Sequence, residues 1–111
     1  MLLPRLTSLC CAALLMGTAA AQSAEDPARH VQFIEEHAGQ CVTRGGVQIL
    51  VKNSHPTRTV KVWLDRYHGG SGTGDRSRTE LPPGAEPEAL GCSRNNAVPQ
   101  EWRLVRAEFV N

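Results

Sequence analysis

The first 21 residues limit what this chain can fold into more than any other feature, because they have the pattern of a secretory signal peptide. Arg5 supplies a positive charge, Leu6 to Met16 form an apolar stretch, and Ala19 to Ala21 provide a small-residue cleavage site. Cleavage after Ala21 leaves 90 of the 111 residues, beginning at Gln22. The sequence therefore predicts an exported protein, periplasmic or secreted, with a single domain over residues 22–111.

Two other roles for this first segment fit the residues less well. A transmembrane anchor needs about 20 continuous apolar residues, whereas this run is interrupted by Thr7, Ser8 and Gly17. A lipoprotein needs a cysteine just beyond the apolar stretch, but Cys10 and Cys11 lie inside it. We therefore expect no membrane anchor after cleavage.

The mature chain keeps two cysteines, Cys41 and Cys92, and we expect them to form a disulfide. A domain of this size buries a limited core, so a covalent link that closes a loop of about 50 residues is valuable, at about 4 kcal/mol in the chain-entropy model. A metal site or a redox thiol is the alternative. Neither cysteine belongs to a C-x-x-C pair, and an exported context favours the disulfide.

Charge excludes one class of partner. Without Arg5 the mature chain has eleven Lys and Arg against eleven Asp and Glu, so its formal net charge is zero. Nucleic acids are held largely by Lys and Arg that neutralise phosphates, and here basic and acidic residues alternate along the chain. We expect no nucleic-acid partner and no basic membrane patch.

The start of the mature domain has an ambiguous pattern. Asp26 followed by Pro27 is typical of a helix start, and Val31, Ile34 and Ala38 follow at helical spacing before Gly39. This predicts a short helix over residues 27–37. Residues 30–34 are also rich in β-branched and aromatic side chains, so a first strand is the alternative.

Alternation of apolar and polar residues predicts two strands, Val47 to Val51 and Thr59 to Tyr67. The segment between them, residues 53–57, has turn residues, which predicts that the two strands pair as an antiparallel hairpin. Residues 69–74 include four glycines and are predicted to form a mobile exposed loop.

Three further strands are predicted downstream. A weak strand follows the glycine-rich segment at residues 76–81, and an extended stretch at residues 86–92 brings Cys92 towards Cys41. The last strand spans residues 101–110, with Val105, Ala107 and Phe109 on one face and Trp102 and Leu104 on the other.

Short strands with frequent turns and no βαβ alternation predict a mainly β fold: a small antiparallel β-sandwich of immunoglobulin-like type, or a small barrel, with one short N-terminal helix. The plan, with a Pro-Gly turn before the strand of the later cysteine, resembles the small immunoglobulin-like modules of exported bacterial proteins. It departs from true immunoglobulin domains in having Leu90 where they have a tyrosine, and in placing Cys41 before the first clear strand.

No catalytic, cofactor or metal signature is present. His30 and His37 do not form an H-E-x-x-H motif, and the glycine-rich segment lacks the Gly-Lys-Ser or Gly-Lys-Thr of a phosphate loop. Gly70-Ser71-Gly72 lacks the spacing of a nucleophile elbow, and pairing with Cys41 would silence Cys92 as a nucleophile. We expect a protein that is not an enzyme and carries no cofactor.

The surface candidates are aromatic and arginine residues of the later strands, with glycines of the adjacent loop. Trp, Tyr and Arg often anchor protein interfaces, although core packing of the two tryptophans is the alternative. The predicted partner-binding surface comprises Trp63, Arg66, Tyr67, His68, Gly70, Gly72, Trp102 and Arg103.

The sequence thus predicts an exported, non-enzymatic binding or accessory protein of the bacterial periplasm or cell envelope, whose partner is another exported or envelope protein. One alternative is an inhibitor or immunity protein for an exported enzyme that uses the glycine-rich loop. The other is a small periplasmic metal-binding protein, which requires the histidines to converge: His30, His37, His55 and His68.

Overall fold

A computed structural model describes residues 24–110, so the predicted signal peptide lies outside the described residues. The fold is mainly β, as predicted. In chain order the elements are a 3-10 helix (Pro27–His30), β1 (Val31–Glu36), α1 (Gly39–Thr43), β2 (Gln48–Asn53), β3 (Thr59–His68), β4 (Ser71–Leu81), β5 (Glu88–Cys92), β6 (Arg94–Asn95) and β7 (Val98–Val110). Within residues 24–110, no helix is long and apolar enough to cross a membrane.

The strands form two antiparallel sheets that make a small β-sandwich. The first has three strands in the order β1-β2-β5, and the second has four in the order β4-β3-β7-β6. Both contribute to the core: β2 supplies Val51, while β3 and β4 supply the other buried members, Val60, Val62, Leu64 and Leu81. Each such side chain contributes about 1.5 to 3 kcal/mol by leaving water.

The predicted hairpin between the second and third strands is wrong, because β2 and β3 lie in different sheets. The buried Asn53 explains the crossing. Its side-chain amide donates to the carbonyl oxygens of Arg58, at 2.7 Å, and Leu81, at 2.8 Å, and its oxygen accepts from the backbone of His55. These bonds stabilise an arch that carries the chain from one sheet to the other, and Leu81 is too distant in sequence for a local pattern to reveal it.

The predicted helix over residues 27–37 is correct only for its first turn. Asp26 caps the 3-10 helix by accepting from the backbone of Ala28, and Pro27 occupies the first helical position. From Val31 the chain is a strand, paired with β2 from Val31 opposite Asn53 to Glu36 opposite Gln48. The alternative of a first strand is therefore the better description, because pairing with β2 outweighs a weak helical spacing.

Residues 69–74 do not form a loop. Gly69 and Gly70 make a tight turn, with φ of 60° and 85°, and β4 begins at Ser71. Positive φ at both central residues is the requirement of the tight turns that suit hairpins, and glycine meets it without strain. The segment is exposed, as predicted, but Gly72 and Gly74 belong to a strand.

The last strand contains a β-bulge that the alternating pattern did not predict. Trp63 of β3 lies opposite Arg106, and the next residue, Leu64, lies opposite Leu104, so Val105 is an extra residue on β7. Trp102 and Leu104 therefore share the core-facing side with Ala107 and Phe109. Val105 is 46% exposed, and its predicted alignment with Ala107 and Phe109 is wrong.

The predicted disulfide is present. Cys41, buried in α1, is bonded to Cys92 at the end of β5, with the two Cα atoms 5.2 Å apart. It joins α1, which precedes β2 in the chain, to β5, which pairs with β2 and has Cys92 opposite Gln48. A disulfide is consistent with an oxidising compartment.

Candidate functional site

The alternation of β3 sets which side chains face away from the core. Val60, Val62 and Leu64 are fully buried, so the residues between them and beyond point to the outer face of the four-stranded sheet. Trp63 and Tyr67 both lie on this outer face and are half-buried. Two large aromatic rings are therefore displayed on a rigid sheet.

Cationic side chains from the neighbouring strand cover these rings. The guanidinium carbon of Arg103 lies 3.8 Å from the ring centroid of Tyr67, and that of Arg106 lies 4.7 Å from the ring of Trp63. Contacts of this kind contribute about 0.5 to 1 kcal/mol at exposed sites and hold both groups in place. We call these four residues, Trp63, Tyr67, Arg103 and Arg106, the aromatic–arginine face.

Gly72 lies beneath the Tyr67 ring of this face. Gly72 of β4 lies opposite Tyr67, and a Cβ atom at Gly72 would lie 3.6 Å from Cε1 of the tyrosine ring. The ring therefore rests over the bare backbone of β4. Of the predicted surface residues, Trp63, Tyr67, Gly72 and Arg103 come together here.

Most of the arginines on and beside the aromatic–arginine face are paired with carboxylates. Arg76 donates two hydrogen bonds to the carboxylate of Asp65, at 2.6 and 2.9 Å, and this interaction holds the pKa of Asp65 below its ordinary value. Arg103 is paired with Glu101, and Arg106 with Glu108. The face offers aromatic area and guanidinium planes without a large net positive charge.

The remaining predicted surface residues lie elsewhere. Arg66 is opposite Trp102, on the side of the sheet away from Tyr67, and it donates to Gln100 at 2.7 Å and to Asp75 at 2.6 Å. The hydrogen bond from Arg66 lowers the pKa of Asp75 and links β3 to β4 across their hairpin. His68 is the last residue of β3, beside the turn. Arg66, His68 and Gly70 therefore do not belong to the aromatic–arginine face.

Trp102 is a packing residue. Its ring lies over Gly91 of β5, where a Cβ atom would come within 2.8 Å of the indole. The φ of 149° at Gly91 also favours glycine. The core-packing alternative is thus correct for Trp102, while Trp63 stands on the outer face.

A second cluster lies near the start of the described chain and combines Glu25, which the sequence did not single out, with two histidines of the metal-binding alternative. Glu25, His30 and His55 bring a carboxylate oxygen and imidazole nitrogens within 4.8 Å of one another, beside an open cleft of about 750 Å³. The Oε2 atom of Glu25 lies 2.9 Å from Nε2 of His55 and 3.3 Å from Nε2 of His30. His37 and His68 are not members of this cluster, so only two of the four histidines converge.

The hydrogen bonds of His55 oppose metal binding through this cluster. Its Nδ1 atom accepts the backbone N–H groups of Thr57 and Arg58, at 3.0 and 2.9 Å, and therefore carries no proton. A neutral imidazole then has its proton on Nε2, which donates to Glu25. A metal at Nε2 needs that nitrogen unprotonated and a proton on Nδ1, where the two amides leave no room.

The cluster is instead arranged as a clamp on the start of the domain. The hydrogen bond from His55 holds the pKa of Glu25 below its usual value, and His30 acts in the same direction. The rings of His30 and His55 also contact Phe109, with centroids 6.0 and 5.3 Å away, so the clamp seats the 3-10 helix against β7.

No protein-family model, curated protein or solved structure matches this chain.

Proposed function

We propose that this chain is an exported, non-enzymatic binding protein of the bacterial periplasm or cell envelope, and that its aromatic–arginine face contacts a partner protein. The observation that carries the proposal is the position of the half-buried Trp63 and Tyr67 on the outer face of a sheet, each under an arginine guanidinium group. These residue types supply most of the binding energy in many interfaces. Their rigid placement lowers the entropy that a partner must overcome.

The paired charges support a protein as the partner. Arg103 and Arg106 each have an acidic neighbour on the same strand, so a polyanion would meet carboxylates as well as guanidinium groups. A protein can satisfy both charge signs with side chains of its own. The disulfide and the signal-like first segment support an exported or envelope protein as this partner.

The test compares the proteins that the wild-type mature chain and two variants capture from a periplasmic extract. The mature chain, immobilised and lightly cross-linked, should retain one or more proteins that a Trp63→Ala/Tyr67→Ala variant loses. Phe33→Ala is the matched control, because Phe33 is 42% exposed but lies in the three-stranded sheet. Calorimetry with each purified candidate should then show affinity reduced by about 100-fold in the double variant, as expected when hot-spot aromatics are truncated.

The proposal is wrong if no captured protein depends on Trp63 and Tyr67, or if the Phe33 variant loses the same proteins. An exported hydrolase among the captured proteins, inhibited by wild-type chain and not by the double variant, would support the narrower function of an inhibitor or immunity protein.

A further inference from the structure

The second backbone edge of β7 is largely unpaired. β7 pairs with β3 from Gln100 to Val110, but it pairs with β6 only at Val98 and Pro99. Within residues 24–110, no backbone hydrogen bond from another segment is recorded at the second edge of residues 101–110. Such an edge is a template for pairing with another strand.

The core beside this edge is incompletely covered. Leu104 and Ala107 of β7 face the core, where Val62 and Leu64 of the adjacent strand are fully buried. Leu104 and Ala107 themselves are only half-buried. An additional strand next to β7 would satisfy its backbone groups and shield these apolar side chains.

We propose that the additional strand is β7 of a second copy of this chain, paired antiparallel about a two-fold axis. The bulge at Val105 restricts how this can happen. Before Val105 the outward residues of β7 are odd-numbered, and after it they are even-numbered. Residues directly opposite each other share a face, so pairing that continues through the bulge along all of residues 101–110 requires the first half of one strand to lie opposite the second half of the other. The two bulges therefore meet at the axis.

Two registers meet this condition. They differ in whether opposite or like charges face each other and in whether the second copy collides with β6. In one register Glu101 faces Glu108 of the second copy and Arg103 faces Arg106, so like charges lie opposite each other throughout. The same register places Val110 against Pro99, where Arg94 of β6 is already paired. Like charges and a blocked site exclude it.

The other register is complementary. Arg103 faces Glu108 of the second copy, and by symmetry Glu108 faces Arg103, which gives two opposite-charge pairs. Leu104 faces Ala107 and Trp102 faces Phe109, all on the core-facing side. Val110 lies opposite Glu101, so pairing ends before it reaches β6.

The dimer has a continuous six-stranded sheet in the order β4-β3-β7-β7-β3-β4. The two aromatic–arginine faces lie side by side on its outer surface, which suits a symmetric partner or one with two binding segments. This assembly goes beyond the proposed function and does not depend on it, since it concerns the isolated protein.

Sedimentation velocity and native mass spectrometry of the mature chain, from nanomolar to high micromolar concentration, test the proposal. We expect a dimer in wild type. Arg103→Glu and Glu108→Arg should each weaken it by about tenfold or more, because each homodimer then has two like-charge pairs. An equimolar mixture of the two variants should form the heterodimer, in which both pairs are opposite in charge.

Two further variants make the test specific. The double variant Arg103→Glu/Glu108→Arg restores both opposite-charge pairs within one chain and should recover the dimer. Arg78→Glu is the matched control, because Arg78 lies opposite Trp63 on β4, at the far edge of the same sheet, and should leave the dimer unchanged. Circular dichroism confirms that each variant is folded.

A wild-type chain that stays monomeric at all these concentrations would overturn the proposal. So would a dimer that neither single charge reversal weakens, a dimer lost in Arg78→Glu, or single variants whose mixture gives no heterodimer.

Discussion

Glu25 links the first described residues to two histidines, and the hydrogen bonds define what its loss should do. Its pKa is held below 4.5 chiefly by the hydrogen bond from His55, so its stabilisation is complete above pH 4.5 and is lost as pH falls through the folded-state pKa. Glu25→Gln should therefore lower the urea midpoint at pH 7, and the difference from wild type should vanish at acid pH. Urea unfolding between pH 3 and 7 measures this, with the exposed Glu86→Gln as control.

A difference that is as large at pH 3 as at pH 7 would show that the charge of Glu25 does not carry the effect. The sequence could not have revealed this cluster, because His30 and His55 meet only when the arch after β2 folds back over the 3-10 helix. By contrast, the type of each surface residue is informative: aromatic and arginine side chains in predicted strands mark Trp63, Tyr67 and Arg103, and the alternation of β3 and β7 decides that they face outward.

At the scale of the strand, the bulge at Val105 explains why Trp102 and Leu104 face the core together with Ala107 and Phe109. Deletion of Val105 should be tolerated, because the remaining residues then alternate without interruption and Leu104, Ala107 and Phe109 keep their face. Deletion of Glu108 is the control, since it turns Phe109 outward and should cost about 1.5 to 3 kcal/mol in burial alone. Urea unfolding of both variants gives the free energies, and equal losses would contradict the role assigned to Val105.

The positions of strands along the chain were predictable where one face of the strand is buried. Which strands pair with each other was not predictable. Alternating patterns predict the strands β3 and β7, and the Gly69–Gly70 turn lies inside the glycine-rich segment that is predicted to form a loop. The hairpin predicted for β2 and β3 failed because the same turn residues serve either a hairpin or a crossing between sheets. The buried Asn53 decides between them through its bond to Leu81, which belongs to a strand 28 residues later. Local patterns do not contain that information.

At the scale of the whole molecule, the mainly β sandwich and the Cys41–Cys92 disulfide followed from strand patterning, the count of cysteines and the small size of the mature chain. The placement of the disulfide did not. Cys41 lies in α1 and Cys92 at the end of β5, so the bond closes one end of the three-stranded sheet just before the chain crosses to β6. The core beside it is small, with few fully buried side chains, which makes the covalent link important for stability.

Replacement of both cysteines by alanine should therefore destabilise the whole fold. The two cysteines are 51 residues apart, and opening a loop of that length frees the unfolded chain by about 4 kcal/mol in the entropy model. Because a small domain has a total stability of about 5 to 10 kcal/mol, the variant should unfold at a much lower urea concentration. Wild-type protein with a reducing agent is the matched comparison and should show the same loss. A variant as stable as the oxidised wild type would mean that the three-stranded sheet holds its end through packing alone, and that the disulfide serves resistance to proteolysis or another role outside equilibrium stability.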